Sequence, residues 1–288
     1  MENKKVRKHS LCEKNAVIAM ILTVPLGLLT QLSGQPQGVV SALIVSALSL
    51  VLLIIYNKWF SPEFDGVFKA HVPVKEILMV SSAMAILIIG CIIINAIYSG
   101  LAFKPSVSFV CLALMAGISE ETIFRAMLIP IGMRYLKVKN RAVTVVIISS
   151  VIFGPLHLTN ILVGADPVMT LIQAFMATCG GFVLAGIYLR TGSVIPGMIA
   201  HAVYDFINFV TDPTINEKGV VVSDSGNVGI SYYVIILAVS VTLLVAGCYL
   251  IRKTKQETIE NIWKIKWSNK KVKDCYFDPC AMDDNMRP

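Results

Sequence analysis

Long apolar runs separated by short polar segments dominate the pattern of this 288-residue chain. A helix needs about 20 apolar residues to cross the roughly 30 Å of bilayer hydrocarbon. Eight runs approach or reach that length, and we expect each to form a membrane-spanning helix. They are residues 16–32, 39–56, 77–98, 107–131, 143–163, 168–189, 194–210 and 232–251. The predicted fold class is all-α, a polytopic membrane helix bundle with about eight transmembrane helices.

The composition and the charge distribution support a membrane protein and predict its orientation. Hydrophobic residues make up 56% of the chain and charged residues only 15%, which lies outside the range of soluble globular domains. With eight spans and a cytoplasmic amino terminus, every Lys and Arg except Lys104, Lys218 and Arg125 falls in a cytoplasmic segment. We therefore predict a multi-pass cell-membrane protein with both termini in the cytoplasm. The net charge of +7 then reflects orientation, and no nucleic acid partner is expected.

Three regions follow from this reading. Residues 1–15 form a basic cytoplasmic amino terminus, residues 16–251 the membrane domain, and residues 252–288 a basic cytoplasmic tail. The first span lacks a clear small-residue cleavage site, so we expect no removable signal peptide. In the tail, Ile259, Trp263 and Trp267 recur at helical spacing among lysines. This pattern fits either a helix that lies against anionic lipid or a solvated tail that only fixes orientation.

Two carboxylates and a guanidinium interrupt the fourth predicted span: Glu120, Glu121 and Arg125. Each ionisable group costs roughly 2.5 to 3.5 kcal/mol at the centre of a membrane helix, so three within six residues indicate a function. Residues four apart share a helix face, which predicts that Glu121 pairs with Arg125 while Glu120 points about 100° away. The Glu120 carboxylate is then free to act as a general base that takes a proton from water.

Further polar side chains lie in the fifth and seventh predicted spans. Phe153 precedes His157 by four residues, and His201 precedes Asp205 by four. A lone intramembrane His is often a structural hydrogen bonder between helices. Six ionisable groups confined to three helices are harder to explain by packing, because each must offset its own desolvation cost. We therefore expect a protease-like core at 107–210 in which the groups converge on a water-holding site suited to hydrolysis.

Other intramembrane hydrolase designs fit less well. A zinc protease of the His-Glu-x-x-His type needs both histidines on one helix, and neither Glu120 nor His157 belongs to such a motif. A serine dyad would call for Ser in a Gly-x-Ser-x-Gly turn, which the segment around Ser119 does not supply. An aspartyl pair would need a second intramembrane Asp beside Asp205.

At these residues the chain resembles the CPBP family of intramembrane metalloproteases, which joins type II CAAX prenyl proteases with bacteriocin-processing and abortive-infection-like proteins. The resemblance covers about residues 111–209 and extends through the segment RTGSVIP at 190–196. Three family motifs, Glu-Glu-x-x-x-Arg, Phe-x-x-x-His and His-x-x-x-Asn/Asp, match in order. They are the segments EETIFR from Glu120 to Arg125, FGPLH from Phe153 to His157, and HAVYD from His201 to Asp205.

The resemblance implies a role for each motif residue. Glu120 and His157 would activate the attacking water, and His201 with Asp205 would polarise the scissile carbonyl or stabilise the oxyanion. Glu121, Arg125 and Phe153 would orient the site, the last by its place in the family motif. Many family members have Asn where this chain has Asp205. An ionised carboxylate repels an oxyanion, so Asp205 would have to be protonated, paired with an imidazolium or bound to a metal.

The cofactor, the substrate and the activity itself leave alternatives open. Glu120, His157 and His201 could bind zinc or another divalent metal, but a metal-free glutamate mechanism uses the same residues. The partner implied is a membrane-associated peptide or protein, either prenylated or a leader or signalling peptide, within the lipid bilayer. The alternatives are a non-enzymatic immunity or scaffold protein that binds a peptide or a sensor kinase, and a transporter that uses the buried charges.

Overall fold

In the computed structural model, the described residues 10–31, 38–61, 63–100, 103–212, 215 and 229–268 form helices and no strands. The all-α bundle is thereby confirmed. The basic start of the chain, most of the loop at 211–231 and the last twenty residues lie outside this part. The α-helices are α1 Ser10–Lys14, α2 Ala16–Leu28, α3 Val39–Phe60, α4 Val74–Ser81, α5 Ala85–Ile94, α6 Val107–Glu121, α7 Leu128–Tyr135, α8 Arg141–Leu156, α9 Pro167–Thr191, α10 Ile195–Thr211, α11 Ile230–Leu250 and α12 Lys253–Lys266.

Short stretches of tighter or wider helix join several of these elements. A 3₁₀ turn at Ser82–Met84 links α4 to α5, and a π-helical turn at Thr122–Met127 links α6 to α7. A further π turn, Asn95–Ser99, extends α5, and 3₁₀ segments at Leu29–Gln31 and His157–Val163 follow α2 and α8. Such irregular turns often occur at functional sites.

The predicted count of eight spans is not confirmed. Six helical stretches are long and apolar enough to cross a membrane: Val39–Phe60, Val74–Tyr98, Val107–Tyr135, Arg141–Leu162, Pro167–Thr191 and Ile230–Leu250. The other two predicted spans correspond to α2, with 13 residues, and α10, with 17 residues. At about 1.5 Å per residue these helices are about 20 Å and 26 Å long, which is less than the hydrocarbon thickness.

Helix α9 lies at the centre of the bundle and packs against α8, α10, α11 and α12. Its ends follow from local sequence signals. The Asp166 side chain accepts a hydrogen bond from Met169 N at 2.8 Å, and Pro167 occupies the first helical turn. Gly192 ends the helix in a left-handed conformation with φ of 73°, donating its N–H to Tyr188 O. This turn leads directly into α10.

The helices α6 and α10 approach each other closely at a glycine. A Cβ atom on Gly117 would lie 2.6 Å from Met198 O and 2.9 Å from the Ala202 Cβ. These distances are below van der Waals contact, so the two helices would have to separate to accommodate any side chain. Gly117 therefore allows the approach that brings the polar residues of the two helices together.

We expect Gly117→Ala to reduce the free energy of unfolding by about 1 to 3 kcal/mol, because overpacking forces the two backbones apart. Gly180→Ala is the matched control, since nothing lies within 4 Å of a Cβ at this helical glycine. The control should stabilise the protein by about 0.4 to 1 kcal/mol through the entropy of the unfolded chain. Thermal unfolding in detergent measures both; equal effects of the two substitutions would contradict the close approach.

The apolar face of the tail helix α12 packs on the protein, which corrects both sequence interpretations of the tail over its described part. Ile259 is completely buried, and Trp263 Nε1 donates a hydrogen bond to Leu189 O at 3.2 Å. The ring of Trp267 lies 4.6 Å from that of Phe64. An apolar helix face has the same sequence pattern whether it meets lipid or another helix, so the pattern alone could not distinguish them.

Lys266, at the end of α12, is buried against the loop after α3. Its Nζ donates hydrogen bonds to Gly66 O at 2.6 Å and to Lys69 O at 3.2 Å. Burial lowers the pKa of Lys266 from 10.5 to about 7, with Asp65 opposing the shift and Lys69 adding to it. Between these two pKa values the unfolded chain binds a proton that the folded chain does not.

The contribution of Lys266 to stability is therefore full above pH 10.5 and is lost as the pH falls toward 7. The expected slope is about 1.4 kcal/mol per pH unit within that window. In unfolding measured from pH 7 to 10, the wild-type slope should exceed that of Lys266→Met by this component. Lys264→Met, at an exposed position of the same helix, should retain it. An unchanged slope in Lys266→Met would contradict this assignment.

Candidate active site

The acidic pair of the first motif lies where α6 passes into the π turn. Glu120 and Glu121 occupy the last turn of α6, and Arg125 lies within the π turn. The side chains of Glu121 and Arg125 are buried, and Glu121 Oε1 lies 3.0 Å from Arg125 Nη1. This is the ion pair that the spacing predicts.

Glu121 also binds the histidine of α10. His201 Nδ1 lies 3.0 Å from Glu121 Oε1, so this oxygen bridges the guanidinium and the imidazole. Gly197, one turn before the histidine, makes room for the carboxylate, because a Cβ there would lie 3.2 Å from Glu121 Oε2. The bridge holds the imidazole ring in one orientation.

The other imidazole nitrogen faces the two remaining carboxylates. His201 Nε2 lies 3.7 Å from Glu120 Oε2 and 3.6 Å from Asp205 Oδ2. The side chains of Glu120 and Asp205 are 25% and 16% exposed, while that of His201 is 8% exposed. The buried imidazole is thus oriented from one side and presents Nε2 toward two accessible carboxylates. This arrangement can accept and donate protons next to a bound carbonyl group.

Phe153 links the arginine with both intramembrane histidines. Arg125 Cζ lies 4.2 Å from the centre of the Phe153 ring, in a cation–π contact. The ring meets His157 edge to face at a centroid distance of 5.0 Å and His201 at 6.0 Å. A Cβ on Gly181 of α9 would lie 3.2 Å from Arg125 Nη2, so α9 closes the other side of the guanidinium.

His157 is placed near the site but not within direct bonding distance of its carboxylates. Its Nδ1 lies 3.3 Å from Phe153 O in the preceding turn. Among the described residues, no hydrogen bond or ion pair joins His157 to Glu120, His201 or Asp205. The contact runs through the Phe153 ring, so the predicted role of His157 in activating water stays a prediction.

Glu120 and His157 lie at similar depths, measured along their helices from the end of the bundle where α7 passes into α8. The span that holds Glu120 ends at Tyr135, and the next one begins at Arg141 at the same end of the bundle. Fifteen residues separate Glu120 from Tyr135, and sixteen separate His157 from Arg141. At about 1.5 Å per residue, both side chains lie 22 to 24 Å from that end.

The site contains more ionisable atoms than it pairs internally. Within the part of the chain that the structure describes, Glu120 Oε2, Glu121 Oε2 and Arg125 Nε are buried without a hydrogen-bond partner. Buried polar atoms are normally satisfied, and exceptions concentrate at functional sites. Three carboxylates against one guanidinium leave an excess of negative charge that a protonated imidazole would reduce. The cluster is therefore suited to proton transfer.

The side chains proposed as metal ligands do not form a recognisable cluster. In residues 10–268, apart from the undescribed gaps, no group of three or more His, Cys, Asp or Glu side chains is arranged to hold a metal ion. Glu120 and His201 lie close to each other, while His157 stays beyond the Phe153 ring. The geometry therefore does not fit the set of Glu120, His157 and His201, and we derive no step through a metal.

Sequence reasoning missed a second polar contact on α10. Cys91 Sγ of α5 lies 2.9 Å from Asn208 Oδ1, one turn beyond Asp205. Asn95, which is buried, donates to Thr211 Oγ1 at 2.9 Å. The signal that could have indicated this contact is Asn95, the single Asn in the apolar run 77–98. These contacts fix α10 against α5.

Comparison with known proteins gives one match. Residues 102–207 match the family model described as "Type II CAAX prenyl endopeptidase Rce1-like". This segment contains all three motifs and every residue of the cluster, and it confirms the resemblance drawn from the motifs. No curated protein and no solved structure matches the chain.

Proposed function

We propose that the chain is an intramembrane endopeptidase of the CPBP, or CAAX protease, family, on the basis of the family match over residues 102–207 and the site geometry. Its reaction would be hydrolysis of one peptide bond in a membrane-associated peptide or protein. The observation that carries this proposal is the buried His201, oriented by Glu121 and facing Glu120 and Asp205 with Nε2. A water molecule and a carbonyl group bound beside Nε2 would meet a base and a hydrogen-bond donor together.

Glu120 is the proposed general base. Its carboxylate takes a proton from water, and the resulting hydroxide attacks the carbonyl carbon of the scissile bond. Glu120 then returns the proton to the leaving nitrogen as the C–N bond breaks, so protons and electrons balance. Its buried Oε2 atom accepts no hydrogen bond from the described residues, which supports this role, because an atom already held by Arg125 would be a weaker acceptor.

His201 is the proposed hydrogen-bond donor to the oxyanion, and Asp205 is proposed to balance the positive charge of its imidazolium form. The imidazole carries its Nδ1 proton toward Glu121, and a proton on Nε2 would point between Glu120 and Asp205. Asp205 at 3.6 Å would offset the charge of the imidazolium rather than contact the oxyanion itself. This pairing answers the difficulty that a carboxylate raises where many relatives have Asn. Fixed dipoles and charges of this kind usually provide the largest part of catalysis.

Glu121, Arg125 and Phe153 act as positioning residues in this account. Glu121 orients His201, Arg125 compensates the buried carboxylate, and the Phe153 ring packs on Arg125. We keep His157 as a water-activating residue that would require a bound substrate to complete the geometry. We also propose that both termini lie in the cytoplasm and that the protein resides in the cell membrane.

The direct test is cleavage of membrane-associated peptides by the purified protein in liposomes. The panel should contain prenylated peptides, their unprenylated counterparts and leader-type peptides, with products identified by mass spectrometry. We expect scission at one defined bond in at least one class, and an arm with chelator tests whether that cleavage requires a metal. Tight peptide binding without cleavage across the panel would favour a scaffold or immunity protein instead.

A further inference from the structure

A polar cavity that is open to the outside lies at the end of the bundle where α7 passes into α8. Its volume is about 460 Å³, and its wall consists of the loop at 136–140 and the polar face of α12. The four basic residues in this wall are Arg134, Lys137, Lys139 and Arg141. The cluster around His201 lies more than a dozen residues deeper along both spans, so this cavity is separate from the proposed active site.

The charge of the cavity is strongly positive. Glu260 contributes the one carboxylate among the described residues of the wall, and it forms an ion pair with Arg141. Arg134 is held at the rim with its guanidinium 5.7 Å from the centre of the Trp267 ring. Lys137 and Lys139 are exposed. Four cations against one carboxylate favour an anionic ligand.

The backbone adds donors to the same wall. Asn140 precedes the first residue of α8, but its side chain makes no capping hydrogen bond. The first-turn N–H groups of this 16-residue helix therefore have no side-chain cap, and the helix dipole adds positive potential there. Arg141 Nε is buried without a hydrogen-bond partner among the described residues. The Arg141 side chain is 24% exposed and pairs with Glu260, so Nε and the first-turn N–H groups supplement the donors of the lysines.

The position of the cavity relative to the membrane narrows the ligand further. The loop joins one candidate span that ends at Tyr135 to another that begins at Arg141. The ends of helices that cross the hydrocarbon lie near the lipid head groups. Val138 projects from the loop between the two lysines and is 46% exposed. An apolar side chain flanked by lysines is suited to contact with the glycerol and acyl region of a lipid.

We propose that this cavity binds the phosphate group of an anionic phospholipid head group. Lys137, Lys139 and Arg134 contact the phosphate oxygens, and the first turn of α8 supplies backbone donors. Free phosphate shares this chemistry, so the experiment separates the two sources. A lipid head group bound in the cavity would contact both α12 and the loop between α7 and α8.

The test is a binding titration on the full-length protein in neutral detergent. The ligands are short-chain phosphatidylglycerol, phosphatidylcholine of the same chain length and inorganic phosphate. The variant is Lys137→Gln with Lys139→Gln, and the control is Lys58→Gln with Lys75→Gln, which removes equal charge at exposed positions outside the cavity wall. Unfolding temperatures without ligand confirm that both doubles fold.

We expect the cavity variant to bind phosphatidylglycerol about 10-fold to 30-fold more weakly, at roughly 1 kcal/mol per lysine, and the control to differ less than threefold from the wild type. If millimolar inorganic phosphate displaces the lipid, free phosphate is also a ligand of the cavity. If it does not displace the lipid, the ligand is the lipid head group. Equal weakening in both doubles would overturn the proposal, as would no weakening in the cavity variant.

Discussion

Glu120→Gln should lower the rate of peptide cleavage by about 10²-fold to 10⁴-fold while leaving the protein folded. Glutamine has nearly the same shape, but it cannot accept the proton of the attacking water, and general base catalysis contributes about 10² to 10⁴. The Glu120 side chain is partly exposed and makes no hydrogen bond through Oε2 to other described residues, so its replacement removes little packing. Cleavage kinetics in liposomes give the rate.

The control for this substitution is Glu257→Gln, which changes an exposed carboxylate on α12. It should cleave at the wild-type rate. Unfolding temperatures within a few degrees of the wild type in both variants would show that the loss is chemical. A Glu120→Gln protein that retains more than a tenth of the wild-type rate would exclude Glu120 as the general base.

Arg125→Met should have the largest effect on stability, reducing the free energy of unfolding by about 3 to 5 kcal/mol. The substitution leaves the Glu121 carboxylate buried with its main cation removed, and an uncompensated buried charge is strongly destabilising. It also removes the guanidinium that packs 4.2 Å from the Phe153 ring centre. Chemical or thermal unfolding in detergent measures the change.

The double substitution Glu121→Gln with Arg125→Met distinguishes the effect of the ion pair on stability from its effect on the cleavage rate. Removing both charges should restore most of the stability, because an apolar or neutral replacement of a buried pair is often close to neutral. Cleavage should nevertheless stay at least about 10-fold below the wild type, since His201 loses its charged partner at Nδ1. A double variant as unstable as Arg125→Met alone would contradict the electrostatic explanation.

The features that could be predicted from the sequence depend on local periodicity. Residues four apart on a helix meet, so the Glu121–Arg125 pair and the proximity of His201 to Asp205 followed from spacing. The cost of charge in a bilayer indicated that these groups share one site. The helical class followed from the lengths of the apolar runs.

Contacts between helices could not be derived in the same way. Spacing indicated that Glu120 and Glu121 diverge, but only the packing of α6 on α10 shows that Glu121 reaches His201. The sequence also did not indicate the π turn at Thr122–Met127 or the extension of this span from the predicted end at 131 to Tyr135, and these features set the depth of Glu120. His157 remains beyond the Phe153 ring, which no sequence pattern indicated.

The count of eight spans was not confirmed, and the apolar face of the tail helix packs on the protein, for a related reason. An apolar run shows that a segment leaves water, but it does not show whether lipid or protein surrounds it. Helix α10 turns His201 toward Glu121 of α6, while Ile195, Ile199 and Val203 are exposed. Trp263 and Trp267 are buried in the protein. Packing on protein and insertion into a membrane both remove their apolar rings from water, so the sequence pattern fits either.

The central claim is that water bound beside Glu120 and His201 hydrolyses a peptide bond. The most direct measurement is cleavage of a membrane-associated peptide in H₂¹⁸O by the wild type and Glu120→Gln side by side, followed by mass spectrometry of the products. We predict that the wild type generates a new carboxyl group carrying one ¹⁸O atom and that Glu120→Gln generates almost none. Labelled product at equal rates from both proteins, or no product from the wild type with any peptide that it binds, would contradict the account.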